Sequence, residues 1–245
     1  MNEEKVNGIV IRAGDYRDNG RLVSLYTPEC GKIQAVLRGV KSPKAKMKCA
    51  AQLFHFGEYL FTPNKGGFRV VAGCAPFDSF SGIYAGGRPD AYFSASFMLE
   101  LLNKATPDAE PNPEIFILIL KSLRELLKKE VDPALAAAHF TLHFLRASGF
   151  RYIFDECAAC GAPLSGKRKF DALAGGITCP HCGGPFSVRV SAVTGSVLRI
   201  LNASPHEDLC RFVFEDGDTA DALGVLIFAA KHAFGIELTF FGNNN

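Results

Sequence analysis

Cys157-Ala-Ala-Cys160 and Cys179-Pro-His-Cys182 are the residues whose type and spacing point most directly to chemistry. Eighteen residues separate Cys160 from Cys179, and each C-x-x-C pair can turn tightly and aim both sulfurs at one tetrahedral ion. Disulfides or a redox dithiol do not account for two similar pairs in so short a segment. A glycine follows each pair, Gly161 and Gly183, where a chain leaving a metal-binding turn often needs positive φ. Four thiolates leave no open position for water or substrate. The reading is one structural zinc held by Cys157, Cys160, Cys179 and Cys182.

Other chemistries fail on particular residues. A zinc deaminase needs an H-x-E element ahead of P-C-x-x-C, yet none of His55, His139, His143, His181, His206 and His232 has Glu two positions on. His181 reads as the exposed tip of the second turn. Gly161-Ala-Pro-Leu-Ser-Gly166-Lys167-Arg168 imitates a phosphate loop but puts Arg where a magnesium-binding hydroxyl is needed. Lys167-Arg168-Lys169 is therefore read as the exposed basic end of the zinc loop. His139 and His143, at i and i+4, lack the intervening Glu of a zincin and read as ordinary helix-face residues. The chain is read as no enzyme.

The elements that position these residues follow from periodicity and charge. The chain has 245 residues, 48% hydrophobic, enough for a real core in two or three modules. The polar start Met1-Asn-Glu-Glu-Lys5 reads as no cleavable signal. Apolar runs such as Ile115 to Leu120 and Ala222 to Ala230 are too short to span a membrane. Cys30, Cys49, Cys74 and Cys210 are scattered without pairing logic, which suits a reduced, cytoplasmic setting. Residues 1–81 hold twelve Lys/Arg against seven Asp/Glu, while the remainder holds fifteen against eighteen. A basic first module suggests a polyanionic partner.

Val6–Ile11, Leu22–Tyr26, Ile33–Leu37, Leu53–Phe61 and Phe68–Val71 alternate with Gly, Pro and Asn clusters, predicting five strands closed into an OB-type barrel over 1–81. Between the third and fourth runs, Arg38, Lys41, Lys44, Lys46 and Lys48 fall within eleven residues that contain no acid. Gly39 and Pro43 argue for a mobile loop there, and cations on such a loop suit a phosphate backbone. Arg12, Arg17, Arg21, Lys65 and Arg69 are secondary candidates on the barrel itself.

Gly82 to Pro89 reads as a linker. Helical periodicity follows, with Tyr92, Phe93, Ala95, Ser96, Leu99 and Leu102 tracing one face of a first helix. Further helices are predicted over Glu114–Lys129, from Pro133 to a stop near Gly149, over Ala192–Ala203, and over Asp218–Phe234. Asp218 or Thr219 reads as the cap of the last helix and Gly235 as its stop. The fold class is thus multi-domain: a barrel (1–81), a helical bundle (82–150 and 191–245) and an inserted four-cysteine zinc module (151–190).

This order of parts resembles the RecO family of bacterial recombination mediators. Leu25-Tyr-Thr-Pro-Glu-Cys-Gly-Lys32 is similar to that family's second-strand turn, and Arg38-Gly-Val-Lys-Ser42 to its basic loop. Phe140-x-x-x-Phe144-Leu-x-x-x-Gly149-Phe150 is similar to its helix leading into the zinc pairs. The resemblance implies a non-enzymatic role in recombinational repair. It implies single- and double-stranded DNA, RecR and single-strand-binding protein as partners, RecA indirectly, and a cytoplasmic, nucleoid-associated location. A zinc-ribbon nucleic-acid-binding adaptor of transcription or translation is the competing class.

Overall fold

The computed structural model describes residues 4–42, 44–62, 68–215 and 217–239. The chain forms two compact units, residues 1–88 with 99–117, and 89–98 with 118–245.

The first unit is the expected five-stranded closed barrel. Its strands are β1 (Glu4–Tyr16), β2 (Gly20–Thr27), β3 (Gly31–Leu37), β4 (Phe56–Thr62) and β5 (Arg69–Asp78). Pairing runs β1-β2-β3-β5-β4 and returns to β1, every ladder antiparallel except β3 with β5. Inward residues such as Val10, Val23, Leu25, Ala35, Leu37, Tyr59 and Phe61 form its core.

β4 starts three residues later than the apolar run suggests. Phe54 takes a left-handed backbone (φ +66), which ends any extended run through it. Its ring is fully buried, and its amide donates to the Val10 carbonyl at 3.1 Å. The basic segment after β3 is also more anchored than a free loop. Val40 is buried, Met47 packs on the core, and the segment runs through turns into a 3-10 turn at Cys49–Ala51. Pro43 lies outside the described residues.

The linker expected over Gly82 to Pro89 is largely docked structure. Gly82–Ala85 forms a helical turn, α1. Ile83 is buried, and the Tyr84 hydroxyl donates to the Leu53 carbonyl at 2.7 Å. Gly86, Gly87 and Arg88 remain as the joint before α2 (Pro89–Ala105), and α3 (Pro113–Leu127) follows. On α2, Phe93 points to solvent at 49% exposure, so it does not belong to the buried face assigned to it.

The second unit is built around α4 (Pro133–Ala147), packed against α5 (Ala192–Ala203) and α6 (Asp218–Phe234). Asp132 caps α4 by accepting from the Ala134 amide at 2.9 Å. α6 starts differently from expectation. Gly217, in a left-handed conformation, precedes its first turn with no side-chain cap. The Thr219 hydroxyl instead donates to Asp132 Oδ2 at 2.6 Å, tying the starts of two helices together. Gly235 ends α6 at φ +63, as the sequence indicates.

His139 and His143 are a second correction. α4 is buried almost all round, so His139 is fully inside, its ring centroid 4.1 Å from that of His143 (tilted) and 4.2 Å, edge-on, from that of His206. His139 Nε2 donates to the Ser204 carbonyl at 2.9 Å and His143 Nε2 to that of Leu201 at 3.3 Å. Both carbonyls lie at the end of α5, where intrahelical donors run out, and that of Leu201 also accepts from the Ser204 amide at 3.4 Å. Between α4 and α5 the chain forms a small sheet, β7-β6-β8, from β6 (Arg168–Asp171), β7 (Gly176–Thr178) and β8 (Val188–Val190).

Candidate metal centre and nucleic-acid interface

The two cysteine turns are assembled by backbone hydrogen bonds. The Gly161 amide donates to the Cys157 carbonyl at 2.8 Å, and the Cys182 and Gly183 amides to that of Cys179 at 3.2 and 3.3 Å. Gly161 has the positive φ expected of it, +71. Gly183 does not. A side chain there would meet Lys169 Cδ and crowd Thr178 Oγ1, contacts that the flexible lysine can relieve by turning aside.

The four sulfurs of Cys157, Cys160, Cys179 and Cys182 lie within 4.8 Å of one another. The Cys179 amide donates to Cys157 Sγ at 3.3 Å and, with further amides of the first turn, holds that thiol down to about 6. Hydrogen bonds among the neighbouring sulfurs push Cys182 up to about 12. One thiolate is thus favoured by backbone amides, while a second thiol keeps its proton through hydrogen bonds to its sulfur neighbours. The residues fit a tetrahedral thiophilic metal. His181 is exposed and outside the set.

Asp171 secures the second turn to the sheet. Burial alone would raise its carboxyl, but the amides of Ala174, Gly184 and Leu173 outweigh that and hold it below the usual carboxylate range. Oδ1 accepts from Leu173 and Ala174 at 3.0 Å each, and Oδ2 from Gly184 at 2.9 Å. Nothing in the sequence marks Asp171. The neighbouring Gly-rich run was the only signal for a turn needing such a clamp.

The barrel gathers a different kind of site. Arg38, Lys44, Lys46 and Lys48 are exposed and, among the described residues, unpaired. Lys41 is half-buried and ion-paired with Asp15 at 3.1 Å. Arg38 and Gly39 meet the β1–β2 turn across a cleft of about 350 Å3 lined also by Tyr16, Arg17, Asp18 and Asn19. Arg17, left-handed at φ +52, sits 5.3 Å over the Tyr16 ring, and Phe68 meets that ring edge-on. An aromatic ring under one guanidinium, in a cleft that Arg38 also lines, suits a stretch of nucleic acid.

The secondary candidates separate. Arg12 is exposed on β1. Arg21 donates to the Ala51 carbonyl at 3.1 Å, and Arg69 pairs with Glu4 at 2.6 Å, so both have structural partners. Lys65 lies outside the described residues.

Comparison with known proteins settles the kinship. Residues 1–80 match the family model described as recombination protein O N terminal, and residues 87–237 match recombination protein O C terminal. The chain belongs to the recombination protein O family. A protein of that family from Desulfitobacterium hafniense, called DNA repair protein RecO, is 37% identical over 177 residues. That match covers 72% of this chain and 63% of the relative, less than two thirds of its length. Proteins of the same name from Listeria monocytogenes and Listeria welshimeri are 35% and 34% identical, each over 73% of this chain and 68% of theirs.

Within the recombination protein O N-terminal region, the Thr27 to Lys32 motif does structural work. Thr27 Oγ1 accepts from the Cys30 amide and donates to the Gly31 carbonyl, closing the β2–β3 turn. Gly31 (φ +65) faces the Glu110 backbone so closely that any side chain would overlap it. Among the described residues, no helix is long and apolar enough to cross a membrane.

Proposed function

We propose that this chain is a non-enzymatic recombination mediator in DNA repair. It binds single-stranded DNA, and double-stranded DNA as the product of its work. It anneals complementary strands and helps RecR load RecA onto DNA covered by single-strand-binding protein, in the cytoplasm at the nucleoid. The observation that carries this reading is the basic segment after β3, whose Arg38, Lys44, Lys46 and Lys48 stand exposed without acidic partners on a closed barrel of a recombination protein O chain. Phosphate contacts reward such charges without reading sequence. Annealing then needs no reacting group, only cations that screen two backbones while the bases stay free to pair.

The metal reading is one zinc held by Cys157, Cys160, Cys179 and Cys182. Bound there, it would act as a closed cross-link supplying folding free energy. These thiolates and Asp171 together would fix the module of residues 151–190.

An annealing assay with complementary oligonucleotides, bare and coated with single-strand-binding protein, tests the function. The parent protein should accelerate annealing in both. Replacing Arg38, Lys44, Lys46 and Lys48 with Ala should slow it. The dependence of log affinity on log salt should become shallower by roughly three, at about 0.7 per phosphate contact. Normal annealing by the variant with an unchanged salt slope would refute the loop's role. Equal affinity for RNA and DNA with no annealing by the parent would point to the adaptor class instead.

A further inference from the structure

The basic run at the start of β6 does more than terminate a loop. Lys167, Arg168 and Lys169 form one side of a cleft of about 430 Å3, closed by Arg189, Ser191 and Pro180. Pro180 belongs to the second cysteine turn, so the proposed metal would hold part of the cleft wall.

Two of these cations are placed where a fold would ordinarily avoid them. Lys169 on β6 is the direct antiparallel partner of Arg189 on β8. Directly opposed side chains leave the same face of the sheet with Cβ atoms about 5 Å apart, and like charges there are destabilising. Lys167, in the bend just before β6, lines the same cleft. Among the described residues none of Lys167, Arg168, Lys169 and Arg189 is ion-paired. The one carboxylate on the strand, Asp171, is buried and already occupied by three amides. Among the described residues, no carboxylate pairs with these cations.

We propose that this cleft is a second binding site for a nucleic-acid phosphate backbone, distinct from the loop at residues 38–48. Cations lining one cleft match a repeating anion, and the guanidinium of Arg189 offers paired donors suited to phosphate oxygens. The second site gives the four-cysteine module a part in binding beyond that of a cross-link. It rests on the reading of the chain as a DNA-binding protein.

The test is a double variant, Lys169→Met with Arg189→Gln, titrated with oligo-dT across salt concentrations. Met keeps the apolar stem that packs over Gly183 while removing the charge. The salt slope should become shallower by roughly 1.4, two contacts at about 0.7 each. Bound metal should be unchanged, and the melting temperature equal to the parent's or higher, because a repulsive pair has been removed. A merely structural pair would lower it. Should the double variant fail to fold, Arg189→Gln alone, at an exposed position, should make the slope shallower by about 0.7.

The same decrement should appear in the background of the loop variant. An unchanged slope in the cleft variant, where the parent binds and the loop variant responds, overturns the cleft and leaves the function standing. A parent that binds no DNA overturns both. Binding of polyglutamate that the double variant loses, with the DNA slope unchanged, assigns the cleft to an acidic protein and also overturns the proposal.

Discussion

Lys32 Nζ donates to the carbonyl of Thr106 at 2.7 Å and to that of Asn103 at 2.8 Å. A lysine from the barrel thus occupies the carboxyl end of α2, where unpaired carbonyls and the negative end of the helix dipole want a cation. Asp108 completes its shell at 3.3 Å, and the side chain is only 14% exposed. Lys32→Met keeps the stem but leaves two acceptors without a donor. It should cost about 1.5–3 kcal/mol, the range for hydrogen bonds involving a charged group. Urea denaturation measures this; a loss below about 0.5 kcal/mol would mean that water replaces the ammonium.

Gly31 should be equally intolerant for a different reason. Its positive φ and the Glu110 backbone opposite leave no room for a methyl group. Gly31→Ala should destabilise the first unit by more than the roughly 1 kcal/mol that a strained φ alone exacts. A melting temperature matching the parent's would show that the 106–110 segment moves aside without penalty.

The histidine cluster predicts acid sensitivity. Burial, with repulsion from His143 and His206, lowers His139 to about 3. Burial lowers His206 to about 4, with His143 and Lys121 adding to the effect and Glu207 opposing it. The unfolded chain binds these protons near the ordinary 6.5, while the folded chain refuses them until far lower. Stability should be complete above that value and fall as pH drops toward 4. Each imidazole contributes up to about 1.4 kcal/mol per pH unit. His55, also lowered by burial, adds in the same direction from the barrel. His206→Gln should remove about half of the pair's slope; an unchanged slope between about pH 7 and about pH 5 would count against the cluster.

Asp171→Asn should loosen the cysteine module without touching its ligands. The amide side chain keeps the shape but loses the charge that accepts three backbone hydrogens. A loss of about 2–3 kcal/mol is expected. Amide exchange at Leu173, Ala174 and Gly184 should accelerate first. Unchanged exchange there would assign the clamp to the metal alone.

Cys157→Ser tests the metal centre. Freshly purified parent should contain one zinc per chain by elemental analysis, and the variant should lose it. Amide exchange across residues 151–190 should rise tenfold or more, equivalent to about 1.4 kcal/mol, while the barrel stays protected. Parent protein devoid of zinc with all thiols free would overturn the assignment.

These residues also show where the sequence was readable. The four cysteines carried their own geometry in their spacing, and the barrel strands carried theirs in alternation and turn residues. Arg38, Lys44, Lys46 and Lys48 were legible because exposure of a charge run requires no knowledge of the fold. Lys41 and Arg69 were not, since their acid partners Asp15 and Glu4 are distant in sequence. Asp132 and Thr219 are 87 residues apart, so local capping rules assigned Thr219 the wrong task. His139 and His143 misled for a related reason. Their spacing describes one helix, whereas their burial depends on α5 and on His206.

The barrel closes through β3 and β5, which share only Ala35↔Arg69 and Val36↔Val70. β1 and β4, the other pair distant in sequence, share six. The seam between β3 and β5 is accordingly the shortest ladder in the cylinder. The basic segment begins immediately after β3, at Arg38. The basic segment thus leaves the barrel two residues beyond Val36, the last paired residue of that seam.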